Sequence, residues 1–206
     1  MKILIGTGPT REYLDPVRFI SNPSTGKMGY LIAEECIKQG YRVTIVTGPT
    51  HLKPPPEAEL IKVVTGEQMR REIVTRFRAA DVLIMCAAVS DWKPARKAAR
   101  KIKRKKSWNL RLVPNPDILK ETSRIKRPGQ KTIGFALETS GLMKNARKKL
   151  MDKRLDLIVA NTPEFFGEQE KPSNVVFIHK CGHAEKFRKA TKKQTARKIV
   201  SLLPRI

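Results

Sequence analysis

The sequence alternates short apolar runs with segments of helical periodicity, and this alternation limits the folds that the chain can adopt. Continuous apolar runs such as 1–5 and 80–87 are typical of strands buried on both faces, as in parallel sheets. Between them, segment 26–39 places Met28, Leu31, Ile32 and Cys36 near one helical face. Serial strand–helix–strand units predict an α/β fold with a doubly wound, mainly parallel, Rossmann-like sheet.

The same pattern places further elements along the chain. The motif Thr65-x-x-Gln68 predicts a capping box that starts a helix reaching about residue 79. The chain has 206 residues, and we find no internal repeat and no long linker, so we expect a single domain over 1–206. Strands are expected at 41–46, 60–64, 109–113, 131–137, 156–160 and 175–178, and helices after Pro116, at 142–153 and at 191–203.

The composition excludes several classes of protein. Hydrophobic residues make up 40% of the chain, which argues against disorder. No apolar run approaches the roughly 18 to 20 residues of a membrane span, and no signal peptide precedes the first strand, so we expect no membrane association and a cytoplasmic location. Three cysteines without a CxxC pair fit a reducing compartment.

Positive charge is concentrated in the second half of the chain. The formal net charge is +24, of which residues 93–206 contribute +22. Nine Lys and Arg and no acid lie within 93–106, which predicts a mobile basic flap at about 92–107. Such a field attracts polyanions. Charge alone does not distinguish nucleic acid, anionic membrane and phosphorylated small molecules.

Two loops rich in small residues are candidate anion sites. Residues 6–11 begin like a dinucleotide fingerprint, but Arg11 stands at the third glycine position and the second strand does not end in an acidic residue. Residues 21–29 are not a P-loop, because Ser21 replaces the first glycine and Met28 the hydroxyl residue after the lysine. Hydroxyl and small residues at a helix start still suit phosphate or carboxylate. A phosphate loop is therefore favoured over an NAD site.

These loops belong to a longer pattern, made of Gly8-Pro9-Thr10-Arg11-Glu12, Asp15-Pro16-Val17-Arg18-Phe19-Ile20-Ser21-Asn22 and Ser24-Thr25-Gly26-Lys27-Met28-Gly29. In these segments the chain resembles the phosphopantothenoylcysteine synthetase (phosphopantothenate–cysteine ligase) family. Matches continue in order to about residue 161, at 47–49, 86–92, 101–103, 112–119, 134–139 and 155–161. Residues 162–206 match loosely, with Thr162 at a frequent Asp position and 171–174 replacing a Ser-Asp-x-Asn segment.

The resemblance implies an enzyme of coenzyme A biosynthesis that joins 4′-phosphopantothenate to L-cysteine. A nucleoside triphosphate, CTP rather than ATP by the bacterial form of the sequence, would activate the carboxylate as an acyl-nucleotidyl anhydride. The resemblance also implies Mg²⁺ with the triphosphate, and a homodimer whose neighbouring subunit helps to enclose the pantothenate. Many bacterial relatives carry a flavin-dependent decarboxylase before this domain. Because the chain begins at the synthetase strand, we expect a separate decarboxylase partner and no FMN.

By matching position, the resemblance assigns catalytic roles to Asn22 and Lys101. Asn22 matches the asparagine associated with the intermediate, where an uncharged amide can donate to an acyl-phosphate oxygen and accept from the incoming amine. Lys101 matches the first lysine of a Lys-x-Lys flap that closes over the triphosphate, with Lys103 as the second candidate. The alternatives are a helix-capping asparagine and a solvated charged run.

Further positions carry over as binding residues. Lys149 and Lys153 are four residues apart on a predicted helix and share one face. Phe135 suits base contact and core packing equally. No protein metal ligands are assigned, because Cys181 and His183 offer only two. The substrate-binding residues are Asn22, Ser24, Thr25, Gly26 and Lys27, and the nucleotide-binding residues are Gly8, Met85, Cys86, Ala87, Asp91, Lys101, Pro116, Asp117, Ile118, Leu119, Phe135, Lys149 and Lys153.

A nucleic-acid-binding protein is the main alternative from another class. The basic half of the chain would neutralise several phosphates of a polynucleotide. However, aromatic residues are only 6% of the chain, and no recognised binding motif occurs, so stacking platforms are scarce. We therefore expect no specific nucleic-acid partner. The other alternative, an NAD(P)-dependent reductase, is disfavoured by Arg11 and by the missing acidic residue.

Overall fold

The structure, a computed structural model, describes residues 1–104, 106–165 and 171–206. Lys105 of the predicted flap and residues 166–170 of the C-terminal part lie outside the described residues. The helices are α1 (Lys27–Lys38), α2 (Gly66–Phe77), α3 (Ile118–Ile125), α4 (Leu142–Asp152) and α5 (Lys192–Leu202). The strands are β1 (Lys2–Thr7), β2 (Arg11–Tyr13), β3 (Phe19–Ser21), β4 (Arg42–Thr47), β5 (Glu59–Lys62), β6 (Val82–Met85), β7 (Trp92–Pro94), β8 (Leu112–Pro114), β9 (Lys131–Leu137), β10 (Leu157–Asn161), β11 (Ser173–His179) and β12 (Ala184–Ala190).

The central sheet confirms the predicted fold. In the described part of the chain, eight strands form it in the order β12-β11-β10-β9-β6-β1-β4-β5. Neighbours from β10 to β5 are parallel, whereas β11 is antiparallel to both β10 and β12. The sequence pattern missed β12. As an edge strand it pairs on one side only, and it has mostly charged residues, of which none is buried, instead of a continuous apolar run.

The core lies on both faces of this sheet. Alternation along β1 sends Ile3 and Ile5 to the face covered by α1 and α5, and Leu4 to the face covered by α2, α3 and α4. Fully buried Ile73 and Phe77 of α2 pack on that second face. Two apolar layers therefore hold the strands in place, and the carboxyl ends of the parallel strands meet along one rim.

The helix starts follow local sequence signals. The predicted capping box at Thr65 is present, with the Thr65 side chain accepting from Gln68 N and the Gln68 side chain from Thr65 N. A second box, Thr191 with Gln194, starts α5. No helix in the described residues is both long and apolar enough to cross a membrane.

The predicted flap grows out of a small side sheet. β7 pairs antiparallel with β8, and Ala95 N donates to Arg111 O at 3.0 Å. The loop that carries the flap therefore has its two ends hydrogen-bonded to each other. The strand expected at 109–113 is observed as β8, at Leu112–Pro114, and it joins β7 and not the central sheet. β2 and β3 form another hairpin, whose last residue, Ser21, leads into the loop before α1.

Candidate functional site

The main cleft has a volume of about 490 Å³ and lies at the carboxyl ends of β1, β6, β9 and β10. After β1 the chain builds β4 and β5 on one side, and it then crosses to build β6 on the other. The cleft thus lies beside the point where the strand order reverses, which is the usual ligand position in doubly wound sheets. Its size is typical of a small-molecule site.

Two glycines bring the loop after β1 against the start of α1. Gly8 and Gly26 have φ angles of +75° and +78°, which favour glycine. A Cβ on Gly26 would lie 3.2 Å from Gly8 Cα, so the two backbones approach closely. Thr7 Oγ1 donates to Gly26 O at 2.9 Å and fixes this approach. The first turn of α1 therefore begins at the cleft, where the positive end of the helix dipole suits an anion.

Asn22 lies in this cleft, and hydrogen bonds to two backbone carbonyls hold it and the preceding Ser21 in place. Ser21 Oγ donates to Thr10 O at 2.8 Å, and Asn22 Nδ2 donates to Ala88 O at 3.2 Å, just beyond β6. The N-cap of α1 is Gly26, which makes no side-chain cap, so the helix-capping alternative for Asn22 is wrong. A half-buried, uncharged amide is thereby fixed on the wall of the cleft.

The structure brings most of the predicted site residues together. Gly8 lies directly beneath Gly26, and Lys101 lies in a second cavity. Phe135 both packs on the core and faces the cleft, so the two interpretations of this residue are compatible. The predicted residues that line the main cleft are Asn22, Ser24, Thr25, Gly26, Lys27, Met85, Cys86, Ala87, Asp91, Pro116, Asp117, Ile118, Leu119, Phe135, Lys149 and Lys153.

Cys86 cannot serve as a thiolate in this environment. Burial raises the pKa of the Cys86 thiol to about 12, against smaller lowering effects of hydrogen bonds with Thr7 and its own backbone. The thiol donates to Gly6 O at 3.3 Å. At neutral pH it is therefore a neutral lining group and not a nucleophile.

Lys149 and Lys153 form a cationic wall on α4 and the residue that follows it. Lys149 Nζ donates to Phe135 O at 2.7 Å, and Lys153 Nζ lies 3.1 Å from Asp117 Oδ2. Burial and the charge of Lys153 lower the pKa of Lys149 to about 8, although Asp117, Asp91 and Glu138 oppose this shift. A polyanion in the cleft would favour the charged form of Lys149.

Asn115 is a lining residue that the sequence did not single out. Its backbone N–H donates to Asp91 O at 2.8 Å and its Nδ2 to Ser90 O at 2.9 Å. Its Oδ1 is buried and has no hydrogen-bond partner among the described residues. These bonds join the loop after β6 to the loop before α3, which places Asp91 and Asp117 at the cleft.

Lys192 is the most unexpected lining residue. It is the first residue of α5, after the Thr191 capping box, and only 9% of its surface is exposed. It belongs to residues 162–206, where the sequence predicted no site residue, and only the fold brings it to the rim. The other lining residues that were missed are Thr7, Met28, Ala88, Val89, Ser90, Asn115, Leu137 and Asn161, which mostly continue segments already singled out.

Lys101 and Asn22 do not share a cavity. Lys101 lies with Ile102, Lys103, Arg104, Arg18 and Trp108 around a second space of about 510 Å³. Four of these side chains are cationic. This part of the flap therefore rests beside the hairpin of β2 and β3, and Lys101 and Lys103 do not line the main cleft with Lys149 and Lys153.

One carboxylate of the cleft fits a magnesium ion carried by a nucleotide. The described residues contain no group of three or more His, Cys, Asp and Glu placed to hold a metal ion. Asp91 and Asp117 both line the cleft, but Asp117 accepts from Lys120 N at 3.1 Å and pairs with Lys153 at 3.1 Å. Mg²⁺ in phosphate sites commonly uses one or two carboxylates and otherwise keeps water and phosphate oxygens. Asp91 would serve as such a carboxylate.

Comparisons with known proteins agree in family and fold. A family model described as the C-terminal domain of DNA/pantothenate metabolism flavoproteins matches residues 1–205. The coenzyme A biosynthesis bifunctional protein CoaBC of Borreliella burgdorferi is 38% identical over 98% of this chain and 52% of that protein. The chain spans about half the length of the curated relatives it matches.

Solved structures extend this similarity to three dimensions. A crystal structure of the C-terminal domain of a CoaBC protein is 35% identical, has a TM-score of 0.84, and is matched over 98% of this chain and 93% of that one. The DNA/pantothenate metabolism flavoprotein of Streptococcus pneumoniae is 26% identical, with a TM-score of 0.86 over 99% and 98% of the two chains.

Proposed function

We propose that this chain, which belongs to the family of the C-terminal domain of DNA/pantothenate metabolism flavoproteins, is a phosphopantothenate–cysteine ligase of coenzyme A biosynthesis. The observation that carries the proposal is the shared cleft. In it, a fixed asparagine, a glycine-bounded helix start and two lysines surround one space at the switch point of the sheet. The lysines and the helix start suit two anionic substrates, and the uncharged asparagine suits contact with a labile anhydride.

In the first step, the carboxylate of 4′-phosphopantothenate attacks the α-phosphorus of a nucleoside triphosphate. A carboxylate oxygen–phosphorus bond forms, the bond to the β-phosphate oxygen breaks, and pyrophosphate leaves. Lys149, Lys153 and the first turn of α1 neutralise the charge on the phosphates. Mg²⁺ held at Asp91 would add further neutralisation of the triphosphate.

In the second step, the amine of L-cysteine attacks the acyl carbon. The carbon–nitrogen bond forms, the carbon–oxygen bond to the phosphate breaks, and the nucleoside monophosphate leaves as the amine loses a proton. Asn22 orients the acyl-nucleotidyl intermediate without placing a charge beside it. The neutral Cys86 thiol supports a route without a covalent enzyme intermediate.

The nucleotide base occupies the part of the cleft formed by Phe135 and by 116–119 in this proposal. Phe135 offers an aromatic surface on which a base can stack. Backbone N–H and C=O groups of Met85, Cys86 and Ala87, at the end of β6, can form hydrogen bonds with the edge of the base. We infer CTP as the preferred nucleotide, with ATP as the alternative. Lys101 reaches the triphosphate when its side chain turns from the second cavity toward the main cleft, and this movement helps to exclude water from the anhydride.

A homodimer is part of the proposal. Large apolar side chains are exposed on the hairpin of β2 and β3, on the sheet of β7 and β8, and on the flap. Contacts between β2 and β7 join the two small sheets into one surface. A second copy would cover this surface. Its exposed apolar members are Val17, Phe19, Trp92, Trp108 and Leu112.

Pyrophosphate release tests the function directly. Purified protein is given 4′-phosphopantothenate, L-cysteine, Mg²⁺ and either CTP or ATP, and pyrophosphate and the amide product are measured. We expect release that depends on phosphopantothenate and is faster with CTP. Reaction with neither triphosphate, together with nucleic-acid binding that survives about 200 mM salt, would instead favour the nucleic-acid alternative.

A further inference from the structure

The segment Asp15–Arg18 has no role in the chemistry described above, yet it forms a dense network of hydrogen bonds. The Asp15 carboxylate is fully buried. It accepts from Val17 N at 2.8 Å, from Arg18 N at 2.9 Å, and from the Arg18 guanidinium at 2.5 and 3.0 Å. Such a concentration of donors on one carboxylate holds the turn rigidly.

The same two side chains also grip the flap. Ile102 N donates to Asp15 Oδ2 at 3.1 Å, and Arg18 Nη2 donates to Ile102 O at 2.6 Å. Both backbone polar groups of a single flap residue are thus bound by side chains more than 80 positions earlier in the chain. Nearby, Ala98 N donates to Leu14 O at 2.8 Å. These bonds fix the flap against the turn between β2 and β3.

The charge on Asp15 makes this grip persistent. Burial alone would raise the pKa of Asp15, but hydrogen bonds from the backbone of Arg18 and Val17, from the Arg18 side chain and from the backbone of Ile102 hold it well below its usual range. The carboxylate therefore stays ionised throughout the neutral range. A charge-assisted bond to Ile102 N is stronger than one between neutral groups.

The grip lies close to the catalytic cleft. Arg18 precedes Asn22 by four residues, so their Cα atoms are at most about 14 Å apart even in a fully extended chain. Lys101 directly precedes the gripped residue Ile102. The flap lysine is therefore held beside the hairpin that leads to Asn22, although in a separate cavity.

We propose that Asp15 and Arg18 clamp the backbone of Ile102 and so position Lys101 for its approach to the triphosphate. Asp15 is a positioning residue that acts through Lys101. The inference rests on the proposed function, because the role of Lys101 is part of it. Without the clamp the flap samples many positions, and the lysine reaches the nucleotide less often.

The matched pair Ile102→Pro and Ile102→Ala tests the clamp. Proline lacks the N–H that Asp15 accepts, whereas alanine keeps both backbone groups. Asp15→Asn is a second variant, which removes the charge. Loss of one charge-assisted bond should raise the rate of tryptic cleavage after Lys103, a bond that the proline does not block, by about tenfold in Ile102→Pro and in Asp15→Asn. Ile102→Ala should be cleaved like the wild type.

A double-mutant cycle with Lys101→Gln tests the link to catalysis. We expect Ile102→Pro and Asp15→Asn to lower kcat/KM for the triphosphate about tenfold in the wild type, and to lower it no further once Lys101 is glutamine. A purely structural effect would persist in that background and would overturn the positioning role. Thermal unfolding of each variant identifies any loss caused by misfolding.

The remaining outcomes separate the two proposals. Wild-type rates of flap cleavage in both Ile102→Pro and Asp15→Asn would overturn the clamp, even if the ligase is active. An inactive wild-type protein that releases no pyrophosphate would overturn the proposed function and with it the role of Lys101. Cleavage of the flap would still report whether the grip on Ile102 exists.

Discussion

A few side chains give the cleft groups that suit an anionic ligand. Lys149 is half-buried beside Lys153, so its cationic form is disfavoured and its pKa is about 8. Asn22 is tied to Ala88 O and carries no charge. The site thus combines a cation that a phosphate would stabilise with an amide that would not repel a developing negative charge.

Lys149 should make nucleotide binding depend on pH. As the pH rises through about 8, Lys149 in the free protein loses its proton, so the KM for the triphosphate should rise above this pH. Initial rates from pH 6.5 to 9.5 measure this. Lys149→Arg should remove the inflection because arginine stays charged, whereas Lys148→Arg, at an exposed position, should keep it. An unchanged inflection in Lys149→Arg would contradict the assignment.

Asn22→Asp should separate binding from turnover. A carboxylate at this position repels the anhydride and cannot donate to an acyl-phosphate oxygen, so turnover should fall by about 10² or more. Nucleotide affinity should change much less, since the lysines of the cleft remain. Calorimetry with a non-hydrolysable triphosphate and assays of amide formation measure the two effects. Asn174→Asp, at an exposed position on β11, serves as the control, and a wild-type rate in Asn22→Asp would remove Asn22 from the catalytic site.

Lys192 should bind phosphate from the end of α5. Its side chain is almost fully buried and lines the cleft, whereas the adjacent Lys193 is exposed. We expect Lys192→Met to raise the KM for the triphosphate about tenfold, the effect of losing one charge-assisted contact. Lys193→Met removes the same charge from the surface and should leave the KM unchanged. Equal values in the two variants would exclude Lys192 from the site.

At the scale of elements, the sequence could predict whatever depends on local signals. Apolar runs predicted the buried strands, and Thr65 with Gln68 predicted the start of α2 because a capping box is complete within four residues. The β12 strand was missed because its stability comes from pairing with β11 and not from its own apolar residues. The strand expected at 109–113 overlaps β8, but its pairing with β7 could not be predicted, since pairing is a long-range choice that a short apolar run does not encode.

Gly26→Ala should lower the stability of the protein more than Gly40→Ala does, because Gly26 packs closely against another backbone segment and Gly40 does not. Gly26 has a φ of +78° and would place its Cβ 3.2 Å from Gly8 Cα. Gly40, at the other end of the same helix, has a φ of +72°, but a Cβ added there would have no atom within 4 Å. Both alanine variants should lose about 1 kcal/mol from the left-handed backbone. Gly26→Ala should lose more and bind the triphosphate more weakly, as denaturant titration and calorimetry would measure.

Equal losses of stability and unchanged affinity would contradict this account. In that case the approach of Gly8 and Gly26 would relax without cost, and the helix start would not shape the cleft. The comparison is informative because both glycines flank α1 and differ only in what surrounds them.

At the scale of the whole molecule, the family pattern predicted which segments carry the site, but not how far the flap lies from it. Residues 22–27, 85–91 and 116–119 meet because each follows or precedes an element at the same rim of the sheet, a consequence of topology. The position of Lys101 depends instead on the bonds of Ile102 to Asp15 and Arg18, which no local pattern reveals. The position of Lys192 likewise could not be predicted locally, because it depends on how β11 and β12 lead the chain to the start of α5.

The charge and the exposed apolar surface together predict how copies of the chain associate. Each chain carries a formal charge of +24, which opposes association at long range. Trp92, with 52% exposure, belongs to the apolar surface on the small sheets. A dimer held by that surface should therefore be more stable at roughly 300 mM salt. At this salt concentration the Debye length is below about 10 Å, so the repulsion between the two chains is screened.

Sedimentation at low and high salt measures this effect against the 23.4 kDa mass of one chain. Trp92→Glu should shift the protein to the monomer, because it places a charge in the apolar contact. Met151→Glu is the control, since Met151 is 70% exposed on α4, away from this surface. A wild-type protein that remains a monomer at high salt, or a Trp92→Glu variant that dimerises normally, would mean that another surface, or none, joins the copies.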